Sequence, residues 1–177
     1  MSRVIAWISL TVAGFLFAGT LLHFPGSLDD DPWAPSAFVL GALTGLAIGG
    51  LQLLAIRHVL RRPWAWPVAT GLGIAITHGL GDGLSAAVGY LPVALIGGIA
   101  TGVLQAGALR TPLWAVATAA AFVVGIIGGH ALAVELGFGS IFDEDVFPRH
   151  AIIAGLTGVL YALLTAPLLP PILRSTA

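Results

Sequence analysis

The chain has 177 residues, of which 58% are hydrophobic and only 8% are charged, with a net charge of −1 at neutral pH. Soluble domains carry about a quarter charged residues, so this composition predicts a protein that is solvated by lipid rather than by water. The near-neutral charge argues against a nucleic-acid partner, and the absence of cysteine excludes disulfides and thiolate metal sites.

Six apolar segments are long enough to cross a hydrocarbon core about 30 Å thick, which requires roughly 20 helical residues. They are predicted at 4–22, 37–57, 66–86, 91–109, 113–135 and 149–168. The first is interpreted as a retained span, because its apolar run is long for a signal peptide. Pro167, Pro170 and Pro171 predict that the last helix kinks or ends there.

The charged residues divide between the two ends of these segments. Arg3, the cluster Arg57–Arg62, Arg110 and Arg174 fall at one end, whereas all eight acidic residues fall toward the other, and only Arg149 breaks the pattern. Because arginine-rich loops stay in the cytoplasm, both termini are predicted to be cytoplasmic. We therefore expect one transmembrane domain, residues 1–177, in a bacterial-type plasma membrane.

Tryptophan marks the start of three of the segments. Trp7, Trp66 and Trp114 are each followed, sixteen positions later, by an ionisable residue; these residues are His23, Asp82 and His130. The tryptophans, together with Trp64, are predicted to lie at the inner membrane interface, where tryptophan is enriched. The ionisable residues would then lie at similar depths near the outer face.

The intervening segments carry a second repeated pattern. Gly45, Gly49, Gln52 and Arg57 recur at an offset of 53 residues, and a weaker third copy is present; the later copies are Gly98, Gly102, Gln105 and Arg110, then Ala154, Gly158 and Tyr161. Repeats of equal topology are related by an axis along the membrane normal. The predicted fold is therefore an all-α bundle of six transmembrane helices in three hairpins, approximately 4–60, 64–110 and 112–174, around a pseudo-threefold axis.

Small residues on one helix face predict close helix packing in lipid. The predicted packing residues are Gly41, Gly45, Gly49, Gly98, Gly102 and Gly158. Gln52, Gln105 and Tyr161 on the same helices form a predicted polar layer, which either hydrogen-bonds between helices or contacts a substrate. The glycine faces pack within the chain or, alternatively, against a second copy or a larger membrane complex.

An Asp within a span is costly and usually faces the protein interior or water. His78 lies one turn before Asp82 on the third helix, and His23 and His130 are predicted at similar depth. Four interpretations remain open for these residues. They form a structural polar cap, a proton or cation relay, a divalent metal site of His23, His78, Asp82 and His130, or a non-covalent haem site with His78 or His130 as axial ligands.

The first functional hypothesis is a small membrane protein that binds or transports a small solute or cation through a polar site open to the outer face. The alternative is a non-catalytic subunit that docks into a larger complex through its glycine-rich faces. A third hypothesis is an intramembrane enzyme or redox protein, which would need a nucleophile, metal or cofactor; because the sequence shows no catalytic motif, no catalytic residue is predicted. The arginine cluster sets topology, and binding to anionic lipid headgroups is a secondary role for it.

Overall fold

The computed structural model describes residues 3–23, 35–88, 90–138 and 147–171, without the side chains of 21–23, 35, 81–90 and 147–148. These ranges form α-helices and short connections, with no strand among them. The helices are α1 (Arg3–His23), α2 (Pro35–Ile56), α3 (Ala65–Val88), α4 (Tyr90–Leu109), α5 (Pro112–Glu135) and α6 (Phe147–Thr165). Turns of 3₁₀-helix follow α2 at Arg57–Val59 and α6 at Ala166–Leu168.

The helices begin and end within three residues of the predicted segments. Pro112 occupies the first turn of α5, where a missing N–H leaves no bond unmade. Pro167 lies in the 3₁₀ turn that ends α6, which confirms the predicted change of helix there.

Within the described ranges, five helical stretches are long and apolar enough to cross a membrane. They are Arg3–Thr20, Ser36–Val59, Leu91–Leu109, Pro112–Glu135 and Arg149–Pro171. The periphery is correspondingly apolar, since Leu43, Leu54 and Val103 are each more than half exposed. A surface of this kind suits lipid, so the chain is an all-helical integral membrane protein.

The six helices close a ring. Each helix packs against the helices before and after it, and α6 packs against α1. Neighbours run antiparallel: Gly45 of α2 lies against Thr70 of α3, whereas Gly49, one turn later, lies against Pro67. We call the end of the ring that carries Arg3, Arg57 and Arg110 the arginine end, and the end that carries His130 and His150 the histidine end.

Glycines allow backbone contact between α2 and α3. A Cβ atom added at Gly45 would lie 2.6 Å from the carbonyl oxygen of Thr70 and 2.8 Å from the Cα atom of Gly71. On α4, a Cβ at Gly102 would lie 2.5 Å from the carbonyl oxygen of Ala115 on α5. Such approaches maximise van der Waals contact, which holds helices together where the hydrophobic effect is absent. In the described structure these glycine faces are covered by helices of the same chain.

Candidate functional site

Trp7, Trp66 and Trp114 meet inside the arginine-end half of the ring, one from each odd-numbered helix. Their ring centroids lie 6.0 Å (Trp7–Trp66), 5.6 Å (Trp7–Trp114) and 5.7 Å (Trp66–Trp114) apart, all edge to face. None of the three has exposed surface, whereas Trp64 is 62% exposed. Three of the four tryptophans that were predicted at the inner interface thus face the interior of the ring rather than its surface. Edge-to-face contacts contribute about 0.5–1.5 kcal/mol per pair beyond burial.

Each buried indole N–H finds an acceptor on another helix, because an unpaired N–H in an apolar interior is costly. Trp66 Nε1 donates to Gln52 Oε1 at 3.2 Å, and Trp114 Nε1 donates to Gln105 Oε1 at 3.0 Å. Trp7 Nε1 instead donates to Thr165 Oγ1 of α6 at 3.1 Å. The two glutamines of the predicted polar layer thus bond to tryptophans.

A layer of threonines lies one turn from the tryptophans. Thr11, Thr70 and Thr118 each follow a tryptophan by four residues, and each is at most 2% exposed. Gln52 Nε2 donates to Thr11 Oγ1 at 3.4 Å, and Gln105 Nε2 donates to Thr70 Oγ1 at 2.8 Å. The sequence signal for this layer is a Trp-x-x-x-Thr pattern that occurs three times; the sequence-based prediction missed it.

Gln105 is the centre of this network. Its Oε1 atom accepts from Trp114, from Thr118 Oγ1 at 3.4 Å and from the Tyr161 hydroxyl at 3.3 Å. The Tyr161 hydroxyl also lies 3.5 Å from Thr118 Oγ1. Tyr161 belongs to α6, so one amide joins side chains of α3, α4, α5 and α6.

We call the hydrogen-bonded and stacked residues of this region the plug. Its members are Trp7, Thr11, Gln52, Trp66, Thr70, Gln105, Trp114, Thr118, Tyr161 and Thr165, and all are at most 2% exposed. These polar side chains lie along the axis of the ring and are not accessible to solvent. The plug therefore closes the arginine-end half of the ring. Phe15, Ile74 and Phe122, also buried, lie one turn further toward the histidine end.

Beyond these three apolar side chains lies a cavity of about 300 Å³, which we call the central cavity. It occupies the histidine-end half of the ring, and residues of α1, α2, α3, α5 and α6 line it. Much of the lining is apolar, with Ile48, Ile126 and Ile153 among its residues. The polar residues in its lining are Thr44, Thr77, Thr157, His78 and His150. The hydroxyls of Thr44 and Thr77 donate to carbonyl oxygens of their own helices at 3.0 Å.

His78 brings a defined ring orientation to the central cavity. Its Nδ1 atom lies 3.1 Å from the carbonyl oxygen of Ile74, so Nδ1 carries the proton and donates. In the neutral ring, Nε2 is then the nitrogen with the lone pair. His150, at the start of α6, lines the same cavity. Sequence reasoning singled out His78 but gave no role to His150.

The structure does not bring the four residues of the predicted metal site together among its described side chains. The side chains of His23 and Asp82 lie outside the described residues. His130 is half-buried on α5, and it is not among the described residues that line the central cavity. Among the described side chains, no group of three His, Asp or Glu residues is placed to hold a metal. The metal, haem and relay hypotheses, which involve His23 or Asp82, stay predictions.

Helix geometry separates His130 from the face of α5 that carries Trp114. At about 100° of rotation per residue, sixteen residues carry a side chain about 160° around the helix from the starting tryptophan. An ideal helix therefore places His130 on the face opposite Trp114, which agrees with its absence from the described lining of the central cavity. Eleven residues bring the direction back to within about 20° of the tryptophan, and Thr77 lines the cavity from that position.

The chain matches no protein-family model, no curated protein and no solved structure at a significant level.

Proposed function

We propose that the chain is a six-span bundle of three repeated hairpins around a pseudo-threefold axis, with both termini in the cytoplasm. Corresponding contacts support this arrangement. A Cβ at Gly49 would meet Thr70, and a Cβ at Gly102 would meet Thr118. Gly102 is the repeat equivalent of Gly49, 53 residues later on the even-numbered helices. Thr118 is the equivalent of Thr70, 48 residues later on the odd-numbered helices. Because α3 packs between α2 and α4, it is expected to cross the membrane with them.

We further propose that this bundle binds a small solute in the central cavity, which the solute enters from the outer face of the membrane. The observation that carries the proposal is a central cavity, with polar residues in its lining, that ends at the plug. Ligand sites are typically apolar concavities with a few well-placed polar groups, and about 300 Å³ is the lower end of their size range. The cavity therefore suits a small molecule of few heavy atoms.

The lining favours a largely apolar solute with one or two polar groups over a bare cation. Isoleucine and phenylalanine side chains offer no compensation for a desolvated charge, and burying an uncompensated charge is costly. The hydroxyls of Thr44 and Thr77 already donate to helix carbonyl oxygens, so their oxygen atoms can accept a hydrogen bond from a solute. A solute with a ring N–H or a hydroxyl would match this set. Transport across the membrane would require the plug to separate.

Accessibility of single cysteines tests the sidedness of the cavity, because the chain has no cysteine of its own. We expect Thr44→Cys and Thr157→Cys to react with a small, charged, membrane-impermeant thiosulfonate added at the outer face and not at the inner face. Thr70→Cys, in the plug, is expected to react from neither side. Labelling is measured by intact-protein mass spectrometry on sealed vesicles of known orientation.

Arg61→Cys is the control, because this exposed arginine-end residue should be labelled from the inner face only. Labelling of Thr44→Cys from the inner face would contradict the proposed orientation. Labelling of Thr70→Cys would show that water passes the plug, and a closed binding site would then be the wrong description.

Filling the cavity tests binding directly. Thr44 is 1% exposed and lines the cavity, so Thr44→Phe is expected to lower solute affinity at least tenfold by occupying the space. Solutes are first found among small heterocycles and aromatic amines by their thermal stabilisation of the protein, and affinity is then measured by isothermal calorimetry. Leu43→Phe is the matched control, because the neighbouring Leu43 is 54% exposed to lipid. Unchanged affinity in a folded Thr44→Phe protein would refute the cavity as the binding site.

A further inference from the structure

A second concavity lies outside the ring, between α3 and α4 at the arginine end. Its volume is about 490 Å³, and we call it the lateral groove. Arg61, Arg62 and Arg110 line one part of it, whereas Val68, Leu72 and Leu104 line another. The groove thus joins a cationic part at the end of the bundle to an apolar part on the membrane-facing side of the helices.

The apolar part is open to the outside of the bundle. Leu72 is 52% exposed, and Val68 and Leu104 are exposed as well. Gly107 forms part of the wall, and no atom lies within 4 Å of the position that its Cβ would take. Gly107 therefore differs from Gly102 on the same helix, which is required for contact with α5. Its lack of a side chain widens the groove.

Among the described residues, the cationic part has no acidic side chain at its end of the bundle. The segments 3–10, 50–70, 100–120 and 160–171 contain no Asp or Glu, and Arg61, Arg62 and Arg110 are all exposed. A third concavity of about 510 Å³ adjoins the groove and shares Arg61 and Arg110 with it. Space for an anionic group therefore exists on both sides of these guanidinium groups.

The backbone of Arg110 adds an independent observation. Its φ angle is +56°, in the left-handed region that side chains other than glycine rarely adopt. The N–H of Thr111 donates to the carbonyl oxygen of Ala106 at 3.2 Å, as in a helix end whose left-handed residue is ordinarily glycine. The chain thus carries a charged side chain at the position where glycine fits the backbone better. Strain of this kind points to a use for the side chain.

We propose that the lateral groove binds an anionic phospholipid from the membrane leaflet at the arginine end. Arg61, Arg62 and Arg110 hold the phosphate by charge-assisted hydrogen bonds, for which guanidinium is well suited. One acyl chain lies along Val68, Leu72 and Leu104. The exposed Trp64, which also lines the groove, lies at headgroup level, as is typical of tryptophan at membrane interfaces.

The test uses the full chain in detergent with phosphatidylglycerol and phosphatidylcholine of identical acyl chains, measured by native mass spectrometry. We expect phosphatidylglycerol to bind at least tenfold more tightly than phosphatidylcholine. Arg110→Gly is expected to lower phosphatidylglycerol binding at least tenfold without lowering the melting temperature, because glycine suits the left-handed backbone. Gly107→Leu is expected to lower binding of both lipids by filling the apolar part of the groove.

Arg57→Gln is the matched control, because it removes one exposed charge at the same end but outside the groove. It should leave phosphatidylglycerol binding within twofold of the wild type. Equal losses in Arg57→Gln and Arg110→Gly would overturn the proposal in favour of unspecific charge attraction. Displacement of phosphatidylglycerol by glycerol phosphate at equal concentration would overturn it in favour of a plain anion site. Unchanged binding in Arg110→Gly and Gly107→Leu would overturn it outright.

Discussion

Gln105→Leu is expected to lower the free energy of unfolding by about 3 kcal/mol, because buried donors left without an acceptor cost about 1–3 kcal/mol each. The amide oxygen of Gln105 accepts from Trp114, Thr118 and Tyr161. Thr118 and Tyr161 lie close enough to bond to each other after the substitution. The indole N–H of Trp114 has no such replacement among the described contacts, so it accounts for most of the loss.

Gln52→Leu should cost nearly as much, because it also leaves one buried indole N–H, that of Trp66, without its acceptor. The measurement is unfolding in mixed micelles by added dodecyl sulfate, followed by tryptophan fluorescence. Val103→Ala serves as the control, since this α4 residue is 57% exposed to lipid. If Gln105→Leu unfolds at the same dodecyl sulfate fraction as Val103→Ala, the plug does not stabilise the bundle.

Gly45→Leu is expected to prevent assembly of the ring. Its Cβ would meet the carbonyl oxygen of Thr70 and the Cα atom of Gly71, and backbone atoms cannot rotate away as side chains can. α2 and α3 would have to separate along their contact, which overpacking of this kind makes costly by several kcal/mol. We expect loss of the monodisperse species in size-exclusion chromatography and aggregation of the remaining protein.

Gly50→Leu provides a control on the same helix. No atom lies within 4 Å of the position of a Cβ at Gly50. A leucine there removes the helix penalty of glycine, which is about 1 kcal/mol, and should leave the melting temperature unchanged or higher. Equal behaviour of the two variants would show that α2 does not approach α3 as closely as the contacts at Gly45 require.

The sequence indicated in part the residues that make the contacts tested by Gln105→Leu and Gly45→Leu. The repeated glycines predicted close helix packing, and the repeated glutamines predicted a polar layer. Each pattern can be recognised from the residue spacing on one face of a single helix. The covering of Gly45 and Gly49 by α3 depends on which helix lies next to α2. No pattern within a single helix carries that information, so the sequence left both packing within the chain and docking against a second copy open.

The candidate site was likewise predicted in part from the sequence and in part decided by how the helices pack. His78 was singled out because an imidazole one turn from an Asp in an apolar segment is chemically unusual. His150 was given no role, because at the sequence level it only begins the last helix. The central cavity includes both, since the closed ring brings α6 beside α1 and completes the lining with α3 on another side.

From the sequence alone it could be predicted that lipid surrounds this protein, where its described helices begin and end, and that its tryptophans recur at one position in each repeat. These properties depend on hydrophobicity, proline positions and residue spacing, all of which are local to the chain. Only the tertiary structure decided which way each side chain points. Trp7 bonds to Thr165, 158 residues away, so its inward orientation depends on the closing of the ring. An ideal helix places His130 on the face of α5 opposite Trp114. Phe15, Ile74 and Phe122 form the base of the proposed site with the plug behind them, whereas His78 and His150 line it.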